Sequence, residues 1–519
     1  MKPKGDFLSM PRTVASDTLR SSYAVAALAA LCAVVLLLST RLGIGVTVDS
    51  TSYLGFRPHD AGYPPLYSGL MRLAAGLPVD VAVLARLYHV ALYAAAAVVV
   101  WRLLHAATGR SAPAWAGAIL SVFAGQAVVV YSMALSEPTF VVLTLLTLQA
   151  LSSWVDGRTR RVFFIAAVLA ALATLARYPG VALVATGALT VLVAGGGTAV
   201  RRVARSAAFA TIGFAPLAIW MAYVALTQGT AVGREAGLAG TADASTLYEG
   251  LLEAARYLLP TDFPPALRIA ALVTVLAAIG AATAAFYAQR ERVTPHADRP
   301  HRYLPLILLG FVASYLSVLV LAVYVEPYLP ILDRYLYPAY VALVMLGVIV
   351  LADLKQRRVL ARRVVAVAVV GFVALSLVRT AKVVRDGYVE GWGYESSEWR
   401  SSATVAYVAT LPPSTAVYSD DPYALLYLTK RDVEEVPQKI VRRLGAANPA
   451  FEHELTHMRE RLEDTDGVVV IFERDRGKFV MPVLPDIERA MPIYEHARFE
   501  DAALYAVVPR DRVLVADRR

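Results

Sequence analysis

Apolar positions in this chain fall in long unbroken runs, not in the alternation of a half-buried strand or the narrow stripe of a surface helix. A helix needs ~20 apolar residues to cross the hydrocarbon of a bilayer. On that measure the runs predict about eleven spans, at 22–41, 81–104, 112–131, 138–154, 162–176, 180–195, 206–226, 265–288, 304–325, 335–352 and 364–380. The fifth and sixth are short and are separated by Arg177-Tyr178-Pro179-Gly180, whose Pro and Gly mark a tight turn at one membrane face. From about Val383 the runs shorten and charges become frequent. There, 401–411, 422–429 and 451–463 read as helices, and 467–472 (GVVVIF) and 502–508 as strands. The expected fold class is therefore an α-helical polytopic membrane protein with a small carboxy-terminal α/β domain. Its expected parts are a tail at 1–21, a transmembrane domain at 22–382 with long loops at 42–80 and 227–264, and a soluble domain at 383–519. Within those loops, 66–77 and 247–259 read as short helices lying along the membrane.

Composition strengthens this picture. Hydrophobic residues make up 57% and charged residues 18% of the 519 positions, against about 45–50% and ~25% in soluble domains. The net charge of +9 carries no nucleic-acid motif with it, and no nucleic-acid partner is expected. It instead resides in short Arg-rich loops at 102–110, 156–161, 201–205, 289–302 and 353–363. Placing these loops and the amino terminus in the cytoplasm satisfies every loop at once. The opposite loops then hold Asp49, Asp60, Glu137, Glu235, Glu326 and Asp333, and the soluble domain is extracytoplasmic. The chain is expected in the plasma membrane. The basic start (Lys2, Lys4, Arg12, Arg20) and the first apolar run read as a retained span, since no small-residue cleavage site follows. The single cysteine, Cys32, excludes an internal disulfide and a Cys-based metal site.

Candidate chemistry collects on the extracytoplasmic side. Asp49 follows the first span and reads either as a helix cap or as a general base facing a cavity. His59 and Asp60 precede the stiff Pro64-Pro65 pair; solvated loop positions are the plain reading of both. Glu137, in Ser136-Glu137-Pro138, suits a helix amino end, or a second acid beside Asp49. Arg177-Tyr178 and Asp333-Arg334-Tyr335 place arginines at extracytoplasmic span ends, where Arg is the minority case. They read as lipid-snorkelling side chains or as a clamp for phosphate, which the planar guanidinium fork fits. Arg86 and His89 would join that clamp; Arg379, Lys382 and Arg385 would hold a lipid headgroup or mark the join to the soluble domain.

The ordered set of short motifs resembles the GT-C superfamily of membrane glycosyltransferases, especially bacterial relatives of protein mannosyltransferases and aminoarabinose transferases. The matching residues are Asp49 with Tyr53, GYPPLYSGLMRL at 62–73, SEPTF at 136–140, ARYPG at 176–180, DRYLYPAY at 333–340 and the segment VYSDDPYALLYLTKR that ends at Arg431. Tyr63 stands where the family has His, and the first loop lacks an Asp-x-Asp. The resemblance implies a sugar donor linked to polyprenyl phosphate, and an envelope glycan, lipid or protein as acceptor, in cell-wall biogenesis among membrane lipids. It implies hexosyl or pentosyl transfer, with Asp49 as base, Glu137 orienting the acceptor or tuning Asp49, Arg334 and then Arg177 on the donor phosphate, and Tyr335 as a donor. Tyr53, His59, Asp60, Tyr63, Arg86, Tyr178 and Asp333 would line the site. It indicates no certain cofactor and leaves a divalent metal open but unindicated. The rival reading is a multi-pass transporter or flippase of lipid-linked sugars, which polar residues near spans also fit.

Overall fold

The computed structural model describes residues 12–57, 62–232, 244–290, 301, 303–325, 331–354, 359–441, 446–473 and 484–508. The membrane part runs through α1 (Arg12–Ser39), α2 (Val48–Tyr53), α3 (Pro65–Ala74), α4 (Val81–Thr108), α5 (Ser111–Val122), α6 (Gly125–Ser132), α7 (Glu137–Gly157) and α8 (Arg160–Ala176). A 3-10 turn, Tyr178–Gly180, leads to α9 (Val181–Ala194), α10 (Ala199–Gln228), α11 (Ala244–Ala255), α12 (Pro265–Arg290), α13 (Leu304–Val325), α14 (Asp333–Leu354) and α15 (Val359–Val389).

Helices occupy every stretch expected to span. By length and composition, seven described helices are able to cross a membrane, or eight if α5 and α6, bent by 56° at their join, form one span. The others are shorter. The apolar part of α1 is Tyr23–Ser39, α8 has 17 residues, and the turn with α9 runs Tyr178–Ala194. The short pair is a tight hairpin packed on α7 and α10. Gly180 lets it close: a Cβ there would lie 2.5 Å from the backbone carbonyl of Ala173. Small residues on α8, among them Ala166, Ala167, Ala170 and Ala173, are buried and allow close helix approach. The two interfacial stretches are helical as expected, as α3 and α11.

The carboxy-terminal part adds α16 (Ser397–Arg400), α17 (Ala403–Thr410), β1 (Val417–Ser419), α18 (Pro422–Thr429), β2 (Glu434–Glu435), β3 (Ile440–Val441), β4 (Ala446–Ala447), α19 (Phe451–Asp464), β5 (Val468–Phe472), α20 (Leu484–Ala490), β6 (Ile493–Arg498) and β7 (Ala502–Val507). A five-stranded sheet has the order β2-β1-β5-β7-β6. β1 is parallel to β2 and β5, whereas β7 is antiparallel to β5 and β6. Successive strand residues face opposite ways, so β5 serves two cores. Val469 packs with Leu455, Met458 and Leu462 of α19 and with Ile487 of α20. Val468, Val470 and Phe472 pack on the other face with Trp399 and Leu425.

That second core continues into the membrane part. It includes Ile44, Val46, Tyr53 and Leu54 after α1, and Tyr67 and Met71 of α3. Val46 pairs with Gly393 as an isolated parallel bridge, and Tyr394 N–H donates to the Val46 carbonyl at 2.8 Å. Gly393 has φ +56, a conformation in which a side chain would be strained. Two cation–aromatic contacts close the seam. Lys430 lies over Phe56 at 4.3 Å, and Arg57 over Tyr423 at 4.5 Å. The first loop is thereby braced by α18 and the segment at Gly393-Tyr394.

Candidate active site

Asp49 sits in the first turn of α2, a six-residue helix entered through Thr47 in extended conformation. The next four residues, Ser50 to Tyr53, are buried and anchor the turn. Asp49 does not act as a cap. One carboxylate oxygen accepts the Tyr63 hydroxyl at 2.9 Å, and the other accepts Arg334 Nη2 at 2.9 Å. Tyr63 is aimed by the two prolines behind it, of which Pro65 begins α3, and its ring lies 4.8 Å from that of Tyr53.

A second acid lies behind this pair. Glu137 begins α7 and is only 2% exposed. Arg177 Nη1 approaches it at 2.6 Å and Arg334 Nε at 3.6 Å. Neither Glu137 oxygen has a hydrogen bond of normal geometry among the described residues, nor has Arg334 Nε. A buried carboxylate is costly unless paired. Here two guanidinium groups balance two carboxylates, yet donors and acceptors remain unmatched, as happens where a ligand completes a network. Arg177 reaches Glu137 because α8 ends at Ala176 and the chain turns extended at φ −154, ψ 142. Its Nη1 also lies 3.2 Å from Ser136 Oγ, which in turn meets the Tyr53 hydroxyl at 3.2 Å. The Tyr335 hydroxyl accepts from Arg334 Nη2 at 3.0 Å, and its ring lies within 4.9 Å of the Arg334 guanidinium and 5.4 Å of that of Arg177.

Burial alone would push the Asp49 carboxyl up. The charge and hydrogen bond of Arg334, the Tyr63 hydroxyl and the more distant Arg177 outweigh it and hold Asp49 below the usual carboxylate range. It is therefore ionised at neutral pH, and its basicity is restrained for as long as Arg334 stays bound to it.

Six of the residues singled out in the sequence thus meet in one network: Asp49, Glu137, Arg177, Arg334, Tyr335 and Tyr63, with Tyr53 against them. Others do not join it. Arg86 donates to Thr40 Oγ1 and the Leu37 carbonyl, both at 2.9 Å, and so closes the end of α1. Asp333 accepts the Arg334 backbone N–H at 2.7 Å and faces Arg256 at 3.7 Å in the first turn of α14. Tyr178 opens the half-buried 3-10 turn behind Arg177. His89 is fully buried; its Nδ1 lies 3.0 Å from the Tyr131 carbonyl and its Nε2 2.9 Å from the Tyr67 hydroxyl. A carbonyl only accepts, so Nδ1 carries the proton and Nε2 of the neutral ring accepts from Tyr67. This pairing braces the aromatic wall behind Tyr53, whose ring meets Tyr67 edge-on at 5.2 Å. Arg379 donates to the Arg256 carbonyl at 2.5 Å and is also a brace. His59, Asp60, Glu235 and Glu326 lie outside the described residues.

Sequence reasoning assigned nothing to Ser136 and Tyr67, which carry the hydrogen bonds beneath the ion pairs. The only signal was their place inside the SEPTF and PPLY segments. Among the described residues no three His, Cys, Asp or Glu side chains are grouped as a metal site would need.

No protein family's sequence signature matches the chain, and no curated protein matches it either. Solved structures do. ArnT from Cupriavidus metallidurans bound to undecaprenyl phosphate superposes with a TM-score of 0.58 at 14% identity, over 94% of this chain and 98% of that one. Its apo state gives 0.55 over the same shares. The arabinofuranosyltransferase AftD from Mycobacteria gives 0.53 at 14% identity; the match covers 94% of this chain but 42% of AftD. These likenesses show the fold: the chain shares the overall architecture of ArnT and of the matching part of AftD.

Proposed function

We propose that the chain is a membrane glycosyltransferase that moves a sugar from a polyprenyl-phosphate donor to an envelope glycan, lipid or protein acceptor at the extracytoplasmic face, with the amino terminus in the cytoplasm. The observation that carries this reading is the joining of Asp49, Arg334, Glu137 and Arg177 in one paired network. The fold shared with ArnT, which was solved with undecaprenyl phosphate, supports the choice of donor.

The network suggests how the groups would act. Arg334 holds Asp49 at rest. A donor phosphate competes for the same guanidinium and takes it from the carboxylate, which raises the basicity of Asp49 as the donor arrives. The acceptor hydroxyl then attacks the anomeric carbon and gives its proton to Asp49. The bond from that carbon to the phosphate oxygen breaks, and polyprenyl phosphate leaves with the electron pair. A single displacement of this kind inverts the anomeric centre. Protonation of Asp49 removes one of the two carboxylate charges, so the positive charge of Arg334 and Arg177 is turned towards the leaving phosphate as its negative charge develops. Glu137, held by both arginines, keeps the two guanidinium groups aligned.

The test uses purified wild type and Asp49→Asn in detergent, a set of polyprenyl-phosphate sugars and membrane glycan acceptors, with release of polyprenyl phosphate as the readout. Loss of a base is expected to lower turnover by about 10²–10⁴-fold in a folded variant that still binds donor. Unchanged turnover in Asp49→Asn would move the base elsewhere. Sugar-lipid flux across liposomes without any transfer would establish the transporter reading instead.

A further inference from the structure

Away from the ion-paired network, the carboxy-terminal part carries a cleft of about 610 Å³, within the roughly 300–1,000 Å³ range of small-ligand sites. It opens between the edge of the sheet, at β1 and β2, and one face of α19. Tyr418, Glu434 and Glu435 line the sheet side, and His453, Glu454 and His457 the helix side. His453 and His457 are four residues apart, so both rings project from the same face. Short apolar segments at Val436-Pro437 and Val441 complete the lining.

Two features mark the cleft as built for a ligand. The Tyr418 side chain is 3% exposed, and its hydroxyl has no hydrogen bond of normal geometry among the described residues, although the Glu434 carboxylate is near. Buried hydroxyls are nearly always satisfied. The carboxylates are also pre-set by amide donors, Gln438 to Glu435 at 2.7 Å and Asn448 to Glu454 at 3.0 Å. A fixed carboxylate accepts hydroxyl groups without further ordering cost.

We infer that this cleft is a saccharide-binding site that holds an uncharged stretch of the acceptor glycan. Planar carboxylates, imidazoles and a phenol hydroxyl match the paired hydroxyls of a sugar, and the apolar strip matches its C–H face. Anionic glycans are disfavoured by three glutamates. A purely cationic ligand is less suited, because Glu434 is already paired with Arg461 at 2.9 Å. Nor do the acids and histidines among the described residues form a metal group. That the bound saccharide is an acceptor rests on the glycosyltransferase reading above; that the cleft binds saccharide does not.

The test is direct binding to the full chain in lipid nanodiscs, by calorimetry and saturation-transfer NMR. The probes are short neutral oligosaccharides of glucose, mannose, galactose and arabinose, an oligogalacturonate, and an oligolysine peptide. At least one neutral oligosaccharide is expected to bind. Tyr418→Phe, which removes only the hydroxyl, and the exposed variants Glu454→Gln and His457→Ala are each expected to weaken it by about tenfold, and Asp49→Asn to leave it unchanged. In the transfer assay, the same cleft variants raise the acceptor KM with little change in kcat. The inference is overturned if no neutral oligosaccharide binds, if binding ignores all three cleft variants, or if the oligolysine peptide or the oligogalacturonate binds in place of the sugars. Cleft-dependent sugar binding in a chain that releases no polyprenyl phosphate would sink the transferase reading and leave the cleft standing. Turnover lost in Asp49→Asn, without any cleft binding, would do the reverse.

Discussion

Replacing Arg334 by Gln tests the coupling between clamp and base most directly. The Arg334–Asp49 contact is 2.9 Å between nitrogen and oxygen. With charge centres about 4 Å apart and an effective dielectric constant near 20, the attraction is about 4 kcal/mol. Asp49 keeps 32% and Arg334 21% of side-chain exposure, so solvent screening reduces this to about 2 kcal/mol. Losing that attraction moves the Asp49 titration to higher pH. The sign follows from the burial that already pushes this carboxyl up and is no longer opposed by Arg334. In the proposed mechanism Asp49 acts only when ionised, so activity is lost on the acid side. The acid limb of kcat/KM for the donor should therefore lie at higher pH in Arg334→Gln than in wild type. The variant should also lose roughly 10²–10³-fold in absolute rate, since a donor to the leaving phosphate is gone. Arg334→Lys retains the charge and should keep the acid limb of wild type despite a lower rate. The assay is single-turnover release of polyprenyl phosphate across pH. An acid limb in Arg334→Gln that coincides with that of wild type, or one that moves equally in Arg334→Lys, refutes the coupling.

Two further outcomes concern the frame around the site. Asp420, at the end of β1, accepts the Phe472 N–H at 3.0 Å, and burial pushes its carboxyl up to about 6. A carboxyl raised on folding favours the folded state when protonated, so its cost is absent below about pH 4 and fully present above about pH 6. Asp420→Asn should remove that dependence, making the melting temperature less pH-sensitive than that of wild type across this window; parallel melting curves would contradict it. Gly180→Ala would drive a Cβ to 2.5 Å from the Ala173 backbone, where nothing yields easily. It should cost about 1–3 kcal/mol in detergent thermal stability and displace Arg177, lowering turnover more than folding yield; normal stability with normal turnover would show that the hairpin relaxes freely.

The helical frame was legible in the sequence because spanning runs and turn signals are local: each is decided by some twenty neighbouring residues and their preference for lipid. The same holds for β5 and α18, where a short apolar run lies between turn residues, and for the ordered motifs that suggested the fold. Asp49, Glu137, Arg177 and Arg334 were candidates for the same reason, as charges at span ends. Their pairing was not legible. Asp49 and Arg334 are 285 positions apart, and which acid meets which guanidinium depends on how α2, α7 and α14 are set by packing. The same packing turned Arg86 towards Thr40 and buried His89 between Tyr67 and Tyr131. It bent the third expected span into α5 and α6 and laid one face of the carboxy-terminal sheet on the first loop. Sequence alone determined where the apolar helices lie, since transfer free energy adds along a run. Tertiary structure decided which charges share a site, because an ion pair depends on distance in space and chain order says nothing of that.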